Sequence, residues 1–192
     1  IPYGSRTRSE IEALTHQAAT FLIGQGIKLL VIACNTASAA ALTSLRATWP
    51  DLPIVGMEPA VKPASERTRT GKVGVMATPG TLHADRFTAL VERFASGVEV
   101  YTRVCPGLVD VVEAGELNGK EVTTRLHEFL DHLTDVGIDH LVLGCTHYPF
   151  VQPLIERIAG PGVTVINPAP AVARQVDRIL TQYSWLSSGK KE

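Results

Sequence analysis

Two stretches far apart in the chain carry one frame. Gly26-Ile27-Lys28-Leu29-Leu30-Val31-Ile32-Ala33-Cys34-Asn35-Thr36 reads without gaps against Gly137-Ile138-Asp139-His140-Leu141-Val142-Leu143-Gly144-Cys145-Thr146-His147. Each begins with a glycine suited to ending a helix and continues as an apolar run of strand length. Each then places a small residue before a cysteine, and hydrogen-bonding residues after it, where a helix should begin. The repeat constrains the chain to two related α/β units, each presenting a thiol at the carboxyl end of a strand.

The rest of the chain keeps the same alternation. Thr7-Arg8-Ser9-Glu10 has the form of a capping box, which opens a helix predicted over about 7–25, with Gly26 as its stop. Strands are predicted at 29–33, 53–56, 72–77, 98–103, 140–143 and 163–166. Helices are predicted at 36–48, after Glu58-Pro59, from Thr78-Pro79, over about 107–114 and 120–136, after Pro149, and over 168–183. The tail from Ser187 has little to bury and is expected to fray. Strand-helix alternation with short turns argues for parallel sheets covered by helices on both faces, which bind ligands beyond the carboxyl ends of the strands. The expected fold is therefore α/β: two pseudo-symmetric three-layer domains with parallel or mixed sheets and the active site in the cleft between them. The first domain is expected to comprise 1–57 and 167–192, incomplete at its N-terminus, and the second 58–166.

Charge excludes some partners. The 19 acidic and 18 basic residues among 192 nearly cancel, leaving no basic field for nucleic acid or an anionic membrane surface. An acidic substrate must then be held by local groups. No apolar run approaches the roughly 20 residues of a spanning helix. The three cysteines, Cys34, Cys105 and Cys145, make an odd count without a close pair, which fits reduced thiols in a cytoplasm better than disulfides or a Cys-x-x-Cys metal site. The histidines have no metal-like spacing, and phosphate-binding glycine loops are absent.

Two thiols at the ends of related strands suit one kind of reaction. Inverting a carbon centre needs one group to remove a proton from one face and another to deliver a proton to the opposite face. A thiol pair can do this in both directions by exchanging roles. A nearby helix N-terminus is expected to lower a thiol pKa, and the thiolate is the good base. The sequence shows no sign of a pyridoxal-phosphate site, so carbanion stabilisation would be electrostatic, with Asn35, Thr36, Thr146 and helix N-termini holding carboxylates. Buried cysteine is often only a small hydrophobe. Cys105, before Pro106 and outside the repeat, is read that way.

Pro2-Tyr3-Gly4-Ser5-Arg6, Ala33-Cys34-Asn35-Thr36-Ala37-Ser38 and Gly144-Cys145-Thr146-His147-Tyr148-Pro149 resemble the signature segments of the glutamate racemases. The resemblance extends to Ala77-Thr78-Pro79-Gly80-Thr81 and Cys105-Pro106-Gly107-Leu108-Val109. It implies an isomerase that interconverts L- and D-glutamate without cofactor or metal. Cys34 and Cys145 would be the two acid/bases, with His147 and Glu113 assisting Cys145. Tyr3, Gly4, Asn35, Thr36, Thr146 and His147 would contact glutamate, with Thr78 and Thr81 as weaker candidates. It further implies D-glutamate supply for peptidoglycan and cell shape in a bacterial cytoplasm, a small-molecule partner only, and a possible homodimer. Members carry a strand and an Asp-Ser-Gly loop ahead of the Pro-Tyr-Gly segment, whereas this sequence opens on the latter, and Ile166-Asn167-Pro168 stands where relatives often have an Asp-Ser turn. The alternatives are a racemase for aspartate or hydantoin, and a non-catalytic ligand-binding protein of the same fold.

Overall fold

The computed structural model describes Tyr3 and residues 6–187. It is an α/β structure with two parallel sheets. Helix α1 (Arg8–Gly24) starts as the local sequence dictates. The Thr7 side chain accepts from the Glu10 backbone N–H, and the Glu10 carboxylate accepts from the Thr7 backbone N–H. Gly26, at φ 77°, supplies the left-handed turn after it. Ile11, Thr15 and Ala19 recur every fourth residue and are the buried positions of α1. They face α2 (Asn35–Thr48), whose Ala37, Ala41 and Leu45 are buried in turn. The same core takes in Leu30 and Ile54 of a two-stranded sheet in which β1 (Leu30–Val31) pairs in parallel with β2 (Ile54–Val55). Helix α9 (Ala169–Gln182) lies along β2, and none of its described residues is buried.

The larger sheet has the order β4-β3-β5-β6, all parallel, from β3 (Lys72–Ala77), β4 (Glu99–Val104), β5 (His140–Leu143) and β6 (Thr164–Ile166). Its two faces follow the period of two. Val73, Val75 and Val142 point to one side, against Val61 and Ala64 of α3 (Val61–Arg67) and Phe87 and Leu90 of α5 (Asp85–Phe94). Met76, Leu141 and Leu143 point to the other, against Leu108 of α6 (Leu108–Glu113), Leu126 and Leu130 of α7 (Lys120–Asp135) and Ile155 of α8 (Gln152–Ala159). Burying side chains of this size contributes about 1.5–3 kcal/mol each, so this three-layer region holds most of the core.

Two details depart from the sequence reading. The helix expected from Thr78-Pro79 is broken: α4 (Pro79–Leu82) ends at His83, and α5 restarts after Ala84, which has extended backbone. After Cys145 the chain makes a 3-10 turn over Tyr148–Val151 before α8 begins. Among the described residues no helix is long and apolar enough to cross a membrane.

Candidate active site

The two repeated cysteines line one cleft of about 460 Å³, as placed by the carboxyl ends of β1 and β5. Cys34 is the N-cap of α2, and its Sγ accepts from the Ala37 backbone N–H at 3.5 Å. The repeat thus puts a thiol where Ser, Thr or Asp would ordinarily cap. Cys145 ends the β5 unit differently. It is buried, and its Sγ lies 3.7 Å from His147 Nδ1. His147 Nε2 in turn meets Glu113 Oε1 at 2.5 Å, reaching across from the last turn of α6. A carboxylate on one ring nitrogen orients the imidazole, leaving the other nitrogen directed at sulfur.

Burial pushes the Cys145 thiol up to about 11, partly opposed by the backbone N–H groups of His147, Tyr148 and Thr146, while nearby Cys34 adds to the rise. The expected lowering by a helix start is not realised at Cys145, because desolvation of the thiolate outweighs the few amides aimed at it. Cys105 also reaches the cleft wall. Burial pushes its thiol up to about 12, and it packs with Leu108 and Tyr148 in the core.

Of the other candidates, Tyr3, Thr36, Thr78, Thr146 and His147 line the cleft. Glu113 joins it through His147. Gly4 lies outside the described residues. Asn35 and Thr81 are not among the lining residues. Asn35 is 2% exposed and borders a void of about 10 Å³ with Thr81, Glu58 and Arg86; its side-chain amide has no partner among the described residues. Thr81 is 1% exposed and bonds to Thr36 and Thr78 instead. Helical rotation explains Asn35: it follows the cap Cys34 directly, so it points away from the face that Thr36 presents. Sequence reasoning missed Asp110, which brings a carboxylate to the cleft wall one turn before Glu113 on α6. The i, i+3 spacing of Asp110 and Glu113 was the available signal. Among the described residues no group of three or more His, Cys, Asp or Glu side chains is arranged to hold a metal ion.

Parallel sheets whose strand ends bring two thiols to one cleft, one of them beside a histidine-carboxylate pair, define an α/β protein with its candidate site at the carboxyl ends of its strands. Residues 2–176 match the model of the family described as Asp/Glu/Hydantoin racemase. The chain belongs to this family, and so to the isomerases. A glutamate racemase of Pseudomonas paraeruginosa is 48% identical over 190 residues, covering 99% of this chain and 72% of that protein. The crystal structure of glutamate racemase from Francisella tularensis in complex with D-glutamate is similar at a TM-score of 0.85 and 31% identity, over 99% of this chain and 71% of that one. That of the Escherichia coli glutamate racemase, in complex with L-glutamate and the activator UDP-MurNAc-ala, gives 0.85 and 30%, over 94% and 69%.

Proposed function

We propose that the cleft racemises glutamate without a cofactor, by two-base proton transfer between Cys34 and Cys145. The observation that carries the reading is the presence of both repeated thiols in the lining of one cleft, with Cys145 next to His147 and, through it, Glu113. The thiolate of one cysteine takes the α-proton: the C–H bond breaks and an S–H bond forms. The opposite thiol gives its proton to the other face of the carbanion, so the two sulfurs exchange protonation states in each turnover. With burial holding Cys145 protonated, His147 is the group that accepts its proton, and Glu113 stabilises the imidazolium that results. Thr146 and Tyr3 supply hydroxyl donors for the carboxylates of the substrate, and Thr36 and Thr78 offer their remaining lone pairs to its ammonium. Glutamate is favoured as substrate by the relatives that bind it in both configurations.

In this reading the described residues up to 57 with those from 167 onward form one α/β lobe and 58–166 the other, with the cleft between. The product serves peptidoglycan synthesis in a bacterial cytoplasm. The test is the circular dichroism of D-glutamate incubated with the chain and no added cofactor. Decay of the signal to zero supports racemisation. A flat trace with glutamate binding intact supports a ligand-binding protein, and decay with aspartate or a hydantoin alone redirects the substrate.

A further inference from the structure

Beside the thiols, three buried hydroxyls close on one another. Thr36 Oγ1 lies 2.8 Å from Thr78 Oγ1 and 3.0 Å from Thr81 Oγ1, and the latter two are 3.2 Å apart. A hydroxyl carries one proton and two lone pairs. Three in a triangle can therefore each donate once and accept once, so no buried donor is left unmet. Thr36 sits in the first turn of α2, two residues past Cys34. Thr78 and Thr81 sit where β3 turns into α4, and β3 runs hydrogen-bonded beside β5, which leads to Cys145. The triangle thus spans from the helix that carries one thiol to the sheet that carries the other.

Two observations indicate that this contact is built rather than incidental. Thr78 occupies the N-cap position of α4, yet its side chain makes no cap hydrogen bond. Its hydroxyl is committed to Thr36 and Thr81 instead. Gly80 allows the approach: a Cβ there would stand 2.8 Å from Thr36 Cγ2. Thr36 and Thr78 also line the cleft, whereas Thr81 does not.

We propose that Thr81 is a positioning residue, which through the hydroxyls of Thr36 and Thr78 holds α2 against α4 and so fixes the spacing of the Cys34 and Cys145 sulfurs. Two-base transfer demands both sulfurs within reach of one carbon, and a misplacement of about 1 Å can cost roughly 10²-fold. The inference rests on the racemase reading for its kinetic consequence, but not for its geometry.

Thr81→Val keeps the shape and removes the hydroxyl, whereas Thr81→Ser keeps the hydroxyl. Both are assayed for kcat and KM on glutamate. In the ligand-free protein, both are also assayed for bridging of Cys34 to Cys145 by o-phenylenedimaleimide, read as the mass of the linked peptide. Thr81→Val is expected to lower kcat roughly 10- to 100-fold with KM nearly unchanged, to slow bridging in parallel, and Thr81→Ser to restore both. Wild-type kcat and bridging in Thr81→Val overturn the proposal even if its Tm falls, since the hydroxyl would then serve the fold alone. If Thr81→Val does not fold, Thr81→Ala, which cannot overpack, is read the same way. A wild-type chain that bridges its thiols yet leaves glutamate unchanged sinks the racemase reading, and bridging alone then decides the role of Thr81. A wild-type chain that cannot be bridged removes the fixed spacing the proposal requires.

Discussion

The segments around Cys34 and Cys145 start from the same frame and end in different surroundings. Val31 is 37% exposed on a two-stranded sheet, while its counterpart Val142 is fully buried in a four-stranded one. Lys28 is on the surface, donating to the Trp185 carbonyl. Its counterpart Asp139 is buried and accepts from the Thr68 hydroxyl and from the backbone N–H groups of Arg69 and Thr70. Cys34 caps a helix directly, whereas Cys145 precedes an irregular turn and draws on His147 and Glu113. A shared strand-and-thiol unit therefore sets where a sulfur stands, and residues outside the unit decide how it behaves.

Replacing either sulfur is the hardest test of that difference. Cys34→Ser and Cys145→Ser are each expected to lower racemisation by roughly 10³-fold while leaving solvent exchange of the α-proton in one enantiomer, opposite for the two variants. Near-wild-type racemisation in both would refute the two-base scheme. Glu113→Gln removes the charge behind His147 and should lower kcat by roughly 10²-fold. The loss should fall on the enantiomer whose α-proton Cys145 removes, as read by the primary isotope effect in each direction. Burial is the main cause that raises the Cys145 thiol, with a smaller rise from Cys34, so in Cys34→Ser burial still holds it up and its alkylation by iodoacetamide should keep rising as pH increases past the ordinary thiol value of 9.0. A plateau near pH 8 would mean that the buried thiol is not as described.

The small residue before each thiol sharpens the comparison at the level of packing. Ala33 is exposed, but a Cβ on Gly144 would stand 2.7 Å from both the Met76 carbonyl oxygen and the Ala77 Cβ. Gly144→Ala should therefore destabilise by about 1–3 kcal/mol, while Ala33→Gly costs about 0.5–1 kcal/mol, both measured by urea unfolding. Asp139 gives the clearest sign in its dependence on pH. Burial alone would raise its carboxyl, but hydrogen bonds from His140, Thr68, Arg69 and Thr70 hold it well below the usual range. A depressed folded value stabilises above the unfolded value of 3.8 and is lost as pH falls through and below it. The Tm of the wild type should accordingly drop more steeply between pH 5 and pH 3 than that of Asp139→Asn, which starts about 1–3 kcal/mol less stable. Equal slopes would remove the carboxylate from the account.

Much of this organisation was legible where cause and effect lie within a few residues. The Thr7–Glu10 box, the Gly26 stop and the spans of β3 and β5 follow from local patterns, and the repeat alone pointed to Cys34 and Cys145. What escaped depends on contacts between distant segments. Nothing near Ala84 announces the break between α4 and α5. The rise at Cys145 comes from desolvation by a core assembled from α6, α7 and α8, so a motif that names amides cannot reveal it. Asn35 and Thr81 read as cleft residues by their company in sequence, yet helix geometry turns the first aside and the hydroxyl triangle takes the second. Asp110 was hidden because its cleft position depends on where α6 docks.

A thiol is a weak hydrogen-bond acceptor, and Cys34 is the acceptor that closes the start of α2 on the Ala37 N–H. Ionised sulfur accepts far more strongly and places a full negative charge at the positive end of the helix. In the proposed two-base exchange, each release of the Cys34 proton would draw the first turn of α2 tighter, and each return would relax it. The stiffness of a helix end would then alternate with the chemistry, and a reagent that occupies this sulfur would be felt as a change in how readily α2 frays.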